Sequence, residues 1–308
     1  MPLVFVRLVS HVGERCGAAV ADRWPVRATM AREVCSMGEY VEAGGTRIWT
    51  ESRGHGPDVL LVAGLGDPVE AWEAQFDGLS DQYRVIAFDN RGAGRTALPD
   101  GPLSVASMAD DAADVLRALG IDRAHVAGFS GGSAIAQELA LRHPASVRSL
   151  VLTSTWARSD AYLAAMGRSW HWLVTAAPDE RAALEAFFLW IYTQRAHVDG
   201  TVQRFIDETL ASPHPQSAEA FQRQLDSFIR HDTLDRLPAI TAPTLVLAGE
   251  QDIITPPRLG RVVADLIPGA RFEVIEGEAH QPFQESPEDF NARVRAFWRE
   301  VEGQTPPV

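Results

Sequence analysis

The chain has 308 residues, 46% of them hydrophobic, which is enough to bury a large core. Its formal net charge of -13 weighs against a nucleic acid or an anionic membrane surface as partner, because both bind clustered Lys and Arg. No stretch approaches the roughly 20 apolar residues of a transmembrane helix. We therefore expect no membrane partner and take a small molecule as the ligand class.

The two cysteines, Cys16 and Cys35, lie near the N-terminus. The rest of the chain therefore has no thiol nucleophile, thiolate zinc site or disulfide framework. We interpret residues 1–38 as an N-terminal extension, disordered or loosely packed, or as the product of an upstream start codon with the natural start at Met37. The run MPLVFVRLVS is interrupted by Arg7 and has no basic residue before it, so secretion is the weaker alternative and a cytoplasmic location is expected.

From Glu39 onward, short apolar runs alternate with helical patterns, as is typical of an α/β sheet with crossover helices. A strand near Tyr40 and one over 46–51 are predicted to form an opening hairpin. The later strands are rich in Val, Ile, Leu and Ala, as expected of parallel strands that are buried on both faces. They cover residues 59–63, 85–88, 125–129, 150–153, 244–248 and 272–275.

Helices are predicted over 104–119 and 286–301, and Asp67 and Pro68 are predicted as the N-cap and first residue of another. Residues 156–235 contain no convincing strand and carry aromatic residues at helical spacing, so we expect a helical cap inserted between two strands. The core would then comprise 39–155 and 236–302, followed by a tail over 303–308.

An aromatic stripe is more often core than ligand-binding surface. A cap over the carboxyl ends of parallel strands, however, lies where such sheets bind ligands. We therefore expect some aromatic side chains to line a substrate pocket. The candidates are Phe129, Trp156, Trp170, Trp172 and Trp190.

The stretch GFSGG, residues 128–132, matches the pattern G-x-S-x-G between a predicted strand and a predicted helix. A serine on so sharp a turn has a strained backbone and an exposed hydroxyl, and side chains at Gly128 or Gly132 would collide with adjacent backbone. The amide of Gly131 would lie near an oxyanion formed on an attacked carbonyl. The pattern therefore predicts Ser130 as a nucleophile.

A serine hydroxyl needs a base to remove its proton and an acid to orient that base. Of the nine histidines, only His280 follows the last predicted strand, in a polar loop before the final helix. Asp252 is preferred as the acid over Glu250, which is better explained as a solvated loop carboxylate. The chain order of serine, acid and histidine is the one expected for this turn. The amide of Leu65, in a glycine turn after a strand, is expected to join that of Gly131 at the oxyanion.

Together these motifs resemble the α/β-hydrolase fold superfamily over roughly residues 39–302. The resemblance rests on AGLGD, FDNRGAGRT, GFSGG, GEQDIITPP and GEAHQPFQESPEDF. It implies a mostly parallel twisted sheet with flanking helices, a variable helical cap and catalysis without a cofactor. Many relatives carry a histidine just before the glycine turn that contains Leu65, which we call the oxyanion turn. This chain has Ala63 at that position, so what supports the turn is left open.

The stretch GAGRTA, residues 92–97, superficially matches a dinucleotide-binding fingerprint, but prolines follow it where a helix should begin. We therefore expect no nicotinamide or flavin. The turn at Asp89, Arg91 and Gly92 is expected to brace the loop beside the active site. No P-loop and no H-E-x-x-H pair occurs, so nucleoside triphosphate hydrolysis and metal hydrolysis have no support.

The turn of GFSGG, which we call the nucleophile elbow, carries serine where haloalkane dehalogenases and epoxide hydrolases use aspartate. By resemblance this implies the serine branch of the superfamily. A carboxylesterase or lactonase is the first expectation, because the sequence resembles small-molecule esterases and enol-lactone hydrolases. A carbon–carbon bond hydrolase of diketone substrates and a thioesterase are alternatives with the same triad, and a ligand-binding receptor is a non-catalytic one. The oligomeric state stays open, with a homodimer among the options.

Overall fold

The computed structural model describes residues 37–303, and an eight-stranded sheet forms its centre. The strands are β1 (Met37–Ala43), β2 (Thr46–Arg53), β3 (Asp58–Val62), β4 (Arg84–Phe88), β5 (Ala124–Phe129), β6 (Val147–Thr153), β7 (Thr244–Gly249) and β8 (Arg271–Ile275). Their order is β1-β2-β4-β3-β5-β6-β7-β8. Strands β1, β2 and β4 pair antiparallel, and all the others pair parallel. The prediction of a mostly parallel sheet is confirmed.

The inner strands are apolar on both faces because both faces are covered. Leu60 of β3 and Val126 of β5 belong to one hydrophobic cluster, while Leu61 and Ala127 belong to another. Strand β8 differs because it lies at the edge of the sheet, where Val274 is 41% exposed. The prediction that the later strands are buried on both faces therefore holds for the centre of the sheet and is wrong for its last strand.

Within residues 37–303, six α-helices follow the strands of the core. They are α1 (Glu73–Leu79), α2 (Val105–Ala118), α3 (Gly131–Arg142), α9 (Pro257–Leu266), α10 (Pro282–Glu285) and α11 (Pro287–Val301). Helix α2 begins where predicted, because the Ser104 hydroxyl accepts a hydrogen bond from the Ser107 amide. The prediction at Asp67 was wrong: a single turn of 3-10 helix begins at Val69, and Pro68 occupies the N-cap.

Five helices lie between β6 and β7, within residues 156–235, which we call the cap. They are α4 (Ala161–Ala176), α5 (Glu180–Ile191), α6 (Gln194–Val198), α7 (Thr201–Leu210) and α8 (Ala218–Ile229). The chain enters and leaves the cap at adjacent points, because Arg158 and Asp232 form an antiparallel bridge and the Thr233 amide donates to the Ala157 carbonyl over 2.8 Å.

The two ends of the chain are described only in part. The predicted extension, 1–38, lies outside the described residues except for Met37 and Gly38, which belong to β1. Of the predicted tail, the structure describes Gly303 alone. Every helix found over residues 37–303 is too short or too polar to span a bilayer.

Candidate active site

Ser130 occupies the turn that joins β5 to α3. Its φ is 50° and its ψ is -119°, a conformation that residues other than glycine rarely adopt. The Ser130 amide donates to the Thr153 carbonyl of β6 over 2.9 Å, which fixes the turn against the sheet. The side chain is half-buried, so its hydroxyl remains accessible. The predicted strain at this serine is therefore present.

The flanking glycines make this turn possible, as the sequence predicts. A Cβ atom on Gly128 would lie 2.4 Å from the Gly132 carbonyl oxygen. A Cβ atom on Gly132 would lie 2.0 Å from the Val62 carbonyl oxygen. Both distances are far inside van der Waals contact with backbone that cannot move away, so neither position can carry a side chain.

The structure brings Ser130, His280 and Asp252 together from the loops after β5, β8 and β7. The Ser130 Oγ atom lies 2.9 Å from His280 Nε2, and His280 Nδ1 lies 2.8 Å from Asp252 Oδ2. Because an ionised carboxylate only accepts hydrogen bonds, the contact with Asp252 assigns the ring proton to Nδ1 and leaves Nε2 free to accept one from the serine. Glu250, the alternative acid, is exposed and accepts from the Gly277 amide over 2.9 Å.

The Asp252 carboxylate is fully buried and held by four donors. Its Oδ1 atom accepts from the amides of Ile254 and Thr255 over 2.8 and 2.9 Å. Its Oδ2 atom accepts from the Thr255 hydroxyl over 2.8 Å, in addition to the His280 ring. Burial raises the pKa of Asp252, but the His280 imidazole and these hydrogen bonds outweigh burial and hold the pKa below its usual value. The acid therefore stays ionised beside the base.

The amides of Leu65 and Gly131 were predicted to bind an oxyanion. Within the described part of the chain, neither amide donates a hydrogen bond, so both are available for a ligand. The turn that carries Leu65 is fastened on one side by Asn90, whose Nδ2 atom donates to the Ala63 carbonyl over 2.9 Å. Asn90 thus supports the loop in which Ala63 replaces the histidine of many relatives.

The other side of this turn is held by the cap. Gln224 of α8 is fully buried, and its Oε1 atom accepts from the Gly66 amide over 3.3 Å. Its Nε2 atom donates to the Arg91 carbonyl over 2.7 Å, and Gln216 Nε2 donates to its Oε1 over 3.0 Å. One cap side chain therefore joins the oxyanion turn to the turn after β4. No sequence pattern predicts the role of Gln224, because a glutamine on an amphipathic helix belongs to no motif.

The turn after β4 braces the loop beside the active site, as predicted. Its two charged residues, Asp89 and Arg91, make different contacts. Asp89 accepts from the amides of Val69 and Arg95 over 2.8 and 2.7 Å. Burial raises the pKa of Asp89 to about 6, against the effect of these two hydrogen bonds. The Arg91 side chain instead forms an ion pair with Asp111 of α2.

The loop that carries His280 is also attached to the cap. The His280 amide donates to the Ile191 carbonyl at the end of α5 over 3.0 Å, and its carbonyl accepts from the Ser154 hydroxyl over 2.7 Å. Nearby, the Tyr192 hydroxyl donates to Gln284 Oε1 over 2.7 Å. The position of the base therefore depends on the cap as well as on the sheet.

The five aromatic residues predicted to line a pocket lie in different surroundings. Phe129 contacts the His280 ring edge-on, with 5.0 Å between ring centroids. Trp170 packs on Phe187 within the cap, Trp156 is buried against His231, and Trp190 is half-buried. Trp172 is 68% exposed, so its assignment to an enclosed pocket is corrected. Of these rings, Phe129 is the one whose described contacts reach the triad.

Asp67 is a further titratable group at this site, and the sequence analysis did not assign it to the site. It is half-buried, and both of its carboxylate oxygens lie 3.4 Å from Gln281 Nε2. Burial raises the pKa of Asp67 to about 6, while His280, Gln281 and the Gly64 amide act in the opposite direction. Over residues 37–303, no group of three or more His, Cys, Asp or Glu side chains is arranged to hold a metal ion.

Known proteins resemble this chain in sequence and in fold. The alpha/beta hydrolase fold family matches residues 57–287. The proposed carbamate hydrolase RutD of Azorhizobium caulinodans is 32% identical over 263 residues, covering 85% of this chain and 99% of that protein. An esterase from Thermogutta terrifontis superposes with a TM-score of 0.76 at 27% identity, covering 86% of this chain and 99% of its own. An enol-lactonase from Burkholderia xenovorans LB400 superposes with a TM-score of 0.75 at 25% identity, covering 84% and 99%.

Proposed function

Because the chain belongs to the alpha/beta hydrolase fold family and is a hydrolase of that family, we propose that it cleaves a small-molecule carboxylic ester or lactone through an acyl-enzyme on Ser130. The observation that carries the proposal is the hydrogen-bonded series Ser130, His280 and Asp252, with distances of 2.9 and 2.8 Å. A strained serine within hydrogen-bonding distance of a histidine, which is itself oriented by a buried carboxylate, is the arrangement that activates a hydroxyl for attack.

The first half of the reaction forms the acyl-enzyme. His280 Nε2 takes the Ser130 proton as the hydroxyl oxygen attacks the substrate carbonyl carbon. The resulting oxyanion accepts hydrogen bonds from the amides of Leu65 and Gly131, each of which contributes about 3 kcal/mol to the stabilisation of the transition state. The tetrahedral intermediate collapses as His280 gives the proton to the leaving alcohol.

The second half releases the acid. His280 takes a proton from water, whose oxygen attacks the acyl carbon, and then returns that proton to Ser130 as the ester bond to the enzyme breaks. Asp252 keeps the Nδ1 proton in place and stabilises the imidazolium in both halves. The same cycle cleaves an ester or a lactone, since both present a carbonyl with an oxygen leaving group.

A carbamate hydrolase is the second candidate, because the relative that is 32% identical over 99% of its length carries that name. A carbamate carbonyl can be attacked by the same serine and can place its oxyanion on the same two amides. It differs from an ester in the nitrogen that its carbonyl carries. A thioesterase, a carbon–carbon bond hydrolase and a ligand-binding receptor remain alternatives on the same fold.

The test is the hydrolysis rate across p-nitrophenyl esters of rising chain length, several lactones, a thioester and a p-nitrophenyl carbamate. The Ser130→Ala variant is the blank, because alanine fits the elbow and removes only the hydroxyl. We expect wild-type hydrolysis of esters or lactones that the variant lacks. Equal rates for both proteins would remove Ser130 from the mechanism, and folded protein without activity on any member would favour the carbon–carbon hydrolase or the receptor.

A further inference from the structure

Asp67 is a carboxylate of the active site that the mechanism above does not use. It follows the oxyanion donor Leu65 by two positions, and its nearest polar side chain is Gln281, which directly follows the catalytic base. The His280 imidazole acts on the Asp67 charge and lowers the pKa of that carboxyl, and the Asp67 charge in turn raises the pKa of Tyr192. Asp67 therefore lies on the same side of the site as His280.

The Asp67 carboxylate has fewer hydrogen-bond donors than Asp252, although it is half-buried. It forms no ion pair with any Arg in the described part of the chain, and its donors are the Gly64 amide and Gln281, which reaches it only over 3.4 Å. Asp252, the other carboxylate beside His280, has four donors within 2.9 Å. A half-buried carboxylate with so few donors can still accept a strong hydrogen bond, and its charge repels another anion.

The location also indicates which end of the substrate this carboxylate would contact. His280 Nε2 must deliver its proton to the leaving oxygen, so the leaving group lies against the histidine. Gln281 and Asp67 lie beside that histidine, and the Gln281 amide presents both a donor and an acceptor. The leaving group is therefore the end of the substrate that these two side chains would face.

We propose that Asp67 and Gln281 form a leaving-group subsite that selects a protonated amine or an N–H group and rejects a carboxylate. The proposal rests on the proposed function and names the substrate class of the same site. It applies to an amino-alcohol ester and also to a carbamate that carries an N–H donor on the leaving side. Burial raises the pKa of Asp67 to about 6, which fits a carboxylate that forms no ion pair with an Arg in the described part of the chain.

The experiment compares kcat/KM for three butyrate esters that share one acyl group. Choline butyrate carries a cation, its uncharged isostere neohexyl butyrate carries none, and the butyrate ester of glycolate carries an anion. For the wild-type enzyme at pH 8 we expect the choline ester to exceed its isostere by about tenfold and the glycolate ester to fall about tenfold below it, as for one charge pair in a partly buried site. In Asp67→Asn, which keeps the shape and removes the charge, the ratio of choline to neohexyl ester should fall about tenfold and the ratio of glycolate to neohexyl ester should rise about tenfold.

The matched control is Glu70→Gln. Glu70 lies three residues further along, its side chain is 53% exposed, and it pairs with Arg95 outside the site. Its neutralisation changes the net charge by the same amount and should leave the wild-type ratios in place. A ratio that falls equally in both variants would show a general field of the protein and would overturn the subsite.

The wild-type enzyme also provides a test that needs no variant. The preference for choline butyrate over neohexyl butyrate should decline as pH falls through about 6, where Asp67 becomes protonated. A pH effect on the catalytic steps that both esters share cancels in the ratio, and Tyr192 stays protonated throughout because burial raises its pKa.

Two outcomes separate this inference from the proposed function. If neohexyl butyrate is hydrolysed and the ratios are the same in Asp67→Asn as in wild type, the ester hydrolase stands and the subsite is rejected. If Asp67→Asn slows all three esters by the same factor, Asp67 positions the base without reading charge, and the subsite is again rejected. If Ser130→Ala hydrolyses the esters as fast as wild type, the proposed function fails first.

Discussion

The core and the cap hold their parts of the active site in different ways. The core places Ser130 and Asp252 through its backbone, by a strained turn at the end of β5 and by amides that donate to the carboxylate. The cap acts largely through contacts that reach across space: Gln224 holds the Gly66 amide, and the Ile191 carbonyl accepts from the His280 amide. The reactive groups are therefore encoded locally, while their alignment depends on an insertion that is distant in sequence.

The largest expected effect is a loss of kcat when His280 of the active site is replaced, compared with His231 at the end of the cap. In His280→Gln, kcat for an ester should fall about a thousandfold or more, because no side chain replaces the base. His231 is also buried, and burial lowers its pKa to about 4, but it bonds to Gln137 in the protein interior. His231→Gln should keep kcat within about tenfold of wild type. Comparable losses in both variants would show that any buried histidine change disrupts the fold.

The second prediction tests whether the cap aligns the oxyanion turn. In Gln224→Leu, kcat should fall about tenfold to a hundredfold while KM changes little, because the Leu65 amide loses its fixed direction. Gln203 of α7 is the control, since it is exposed and its side chain, over residues 37–303, bonds only to Asp207 on the same helix. Steady-state kinetics of Gln203→Leu should match wild type. A larger KM at unchanged kcat in Gln224→Leu would assign the residue to substrate binding.

The smallest effect concerns stability and compares two carboxylates beside the oxyanion loop. The folded-state pKa of Asp67 lies above its unfolded value, so its charge destabilises the fold above pH of about 6 and no longer does so below about 4. Asp67→Asn should therefore raise the free energy of unfolding by about 1 kcal/mol at pH 8, and the gain should vanish by pH 4. Urea unfolding at both pH values measures it.

Asp89 sharpens this comparison, because burial raises its pKa to about 6 as well. It differs in accepting two backbone amides, from Val69 and Arg95. An asparagine offers only one acceptor oxygen, so Asp89→Asn should lower the free energy of unfolding by about 1 to 2 kcal/mol. A gain in stability in both variants would mean that charge burial outweighs hydrogen bonding at Asp89.

Sequence reasoning predicts the parts of this molecule that depend on neighbouring residues. The strands are apolar runs, and the elbow is a pattern within GFSGG, so each leaves a signal in one short window. Gly66 and Gln224 are separated by 158 residues, and no window contains both. Asp67 was misassigned for a related reason: a residue before Pro68 at a helix start is typical of a cap, but its side chain turns instead to Gln281, 214 residues away. Contacts between side chains of distant segments are set by packing, which no local pattern shows.

The bridge between Arg158 and Asp232 has a consequence for how this protein could diverge. Because the chain leaves the core and returns to it at adjacent points, the intervening segment can lengthen, shorten or be exchanged without moving a strand. Exchange of the cap alone could therefore change which substrates the protein accepts. A transplanted segment would nevertheless have to bring its own equivalents of Gln224 and of the Ile191 carbonyl. Chimaeras between relatives should therefore fold more often than they turn over substrate.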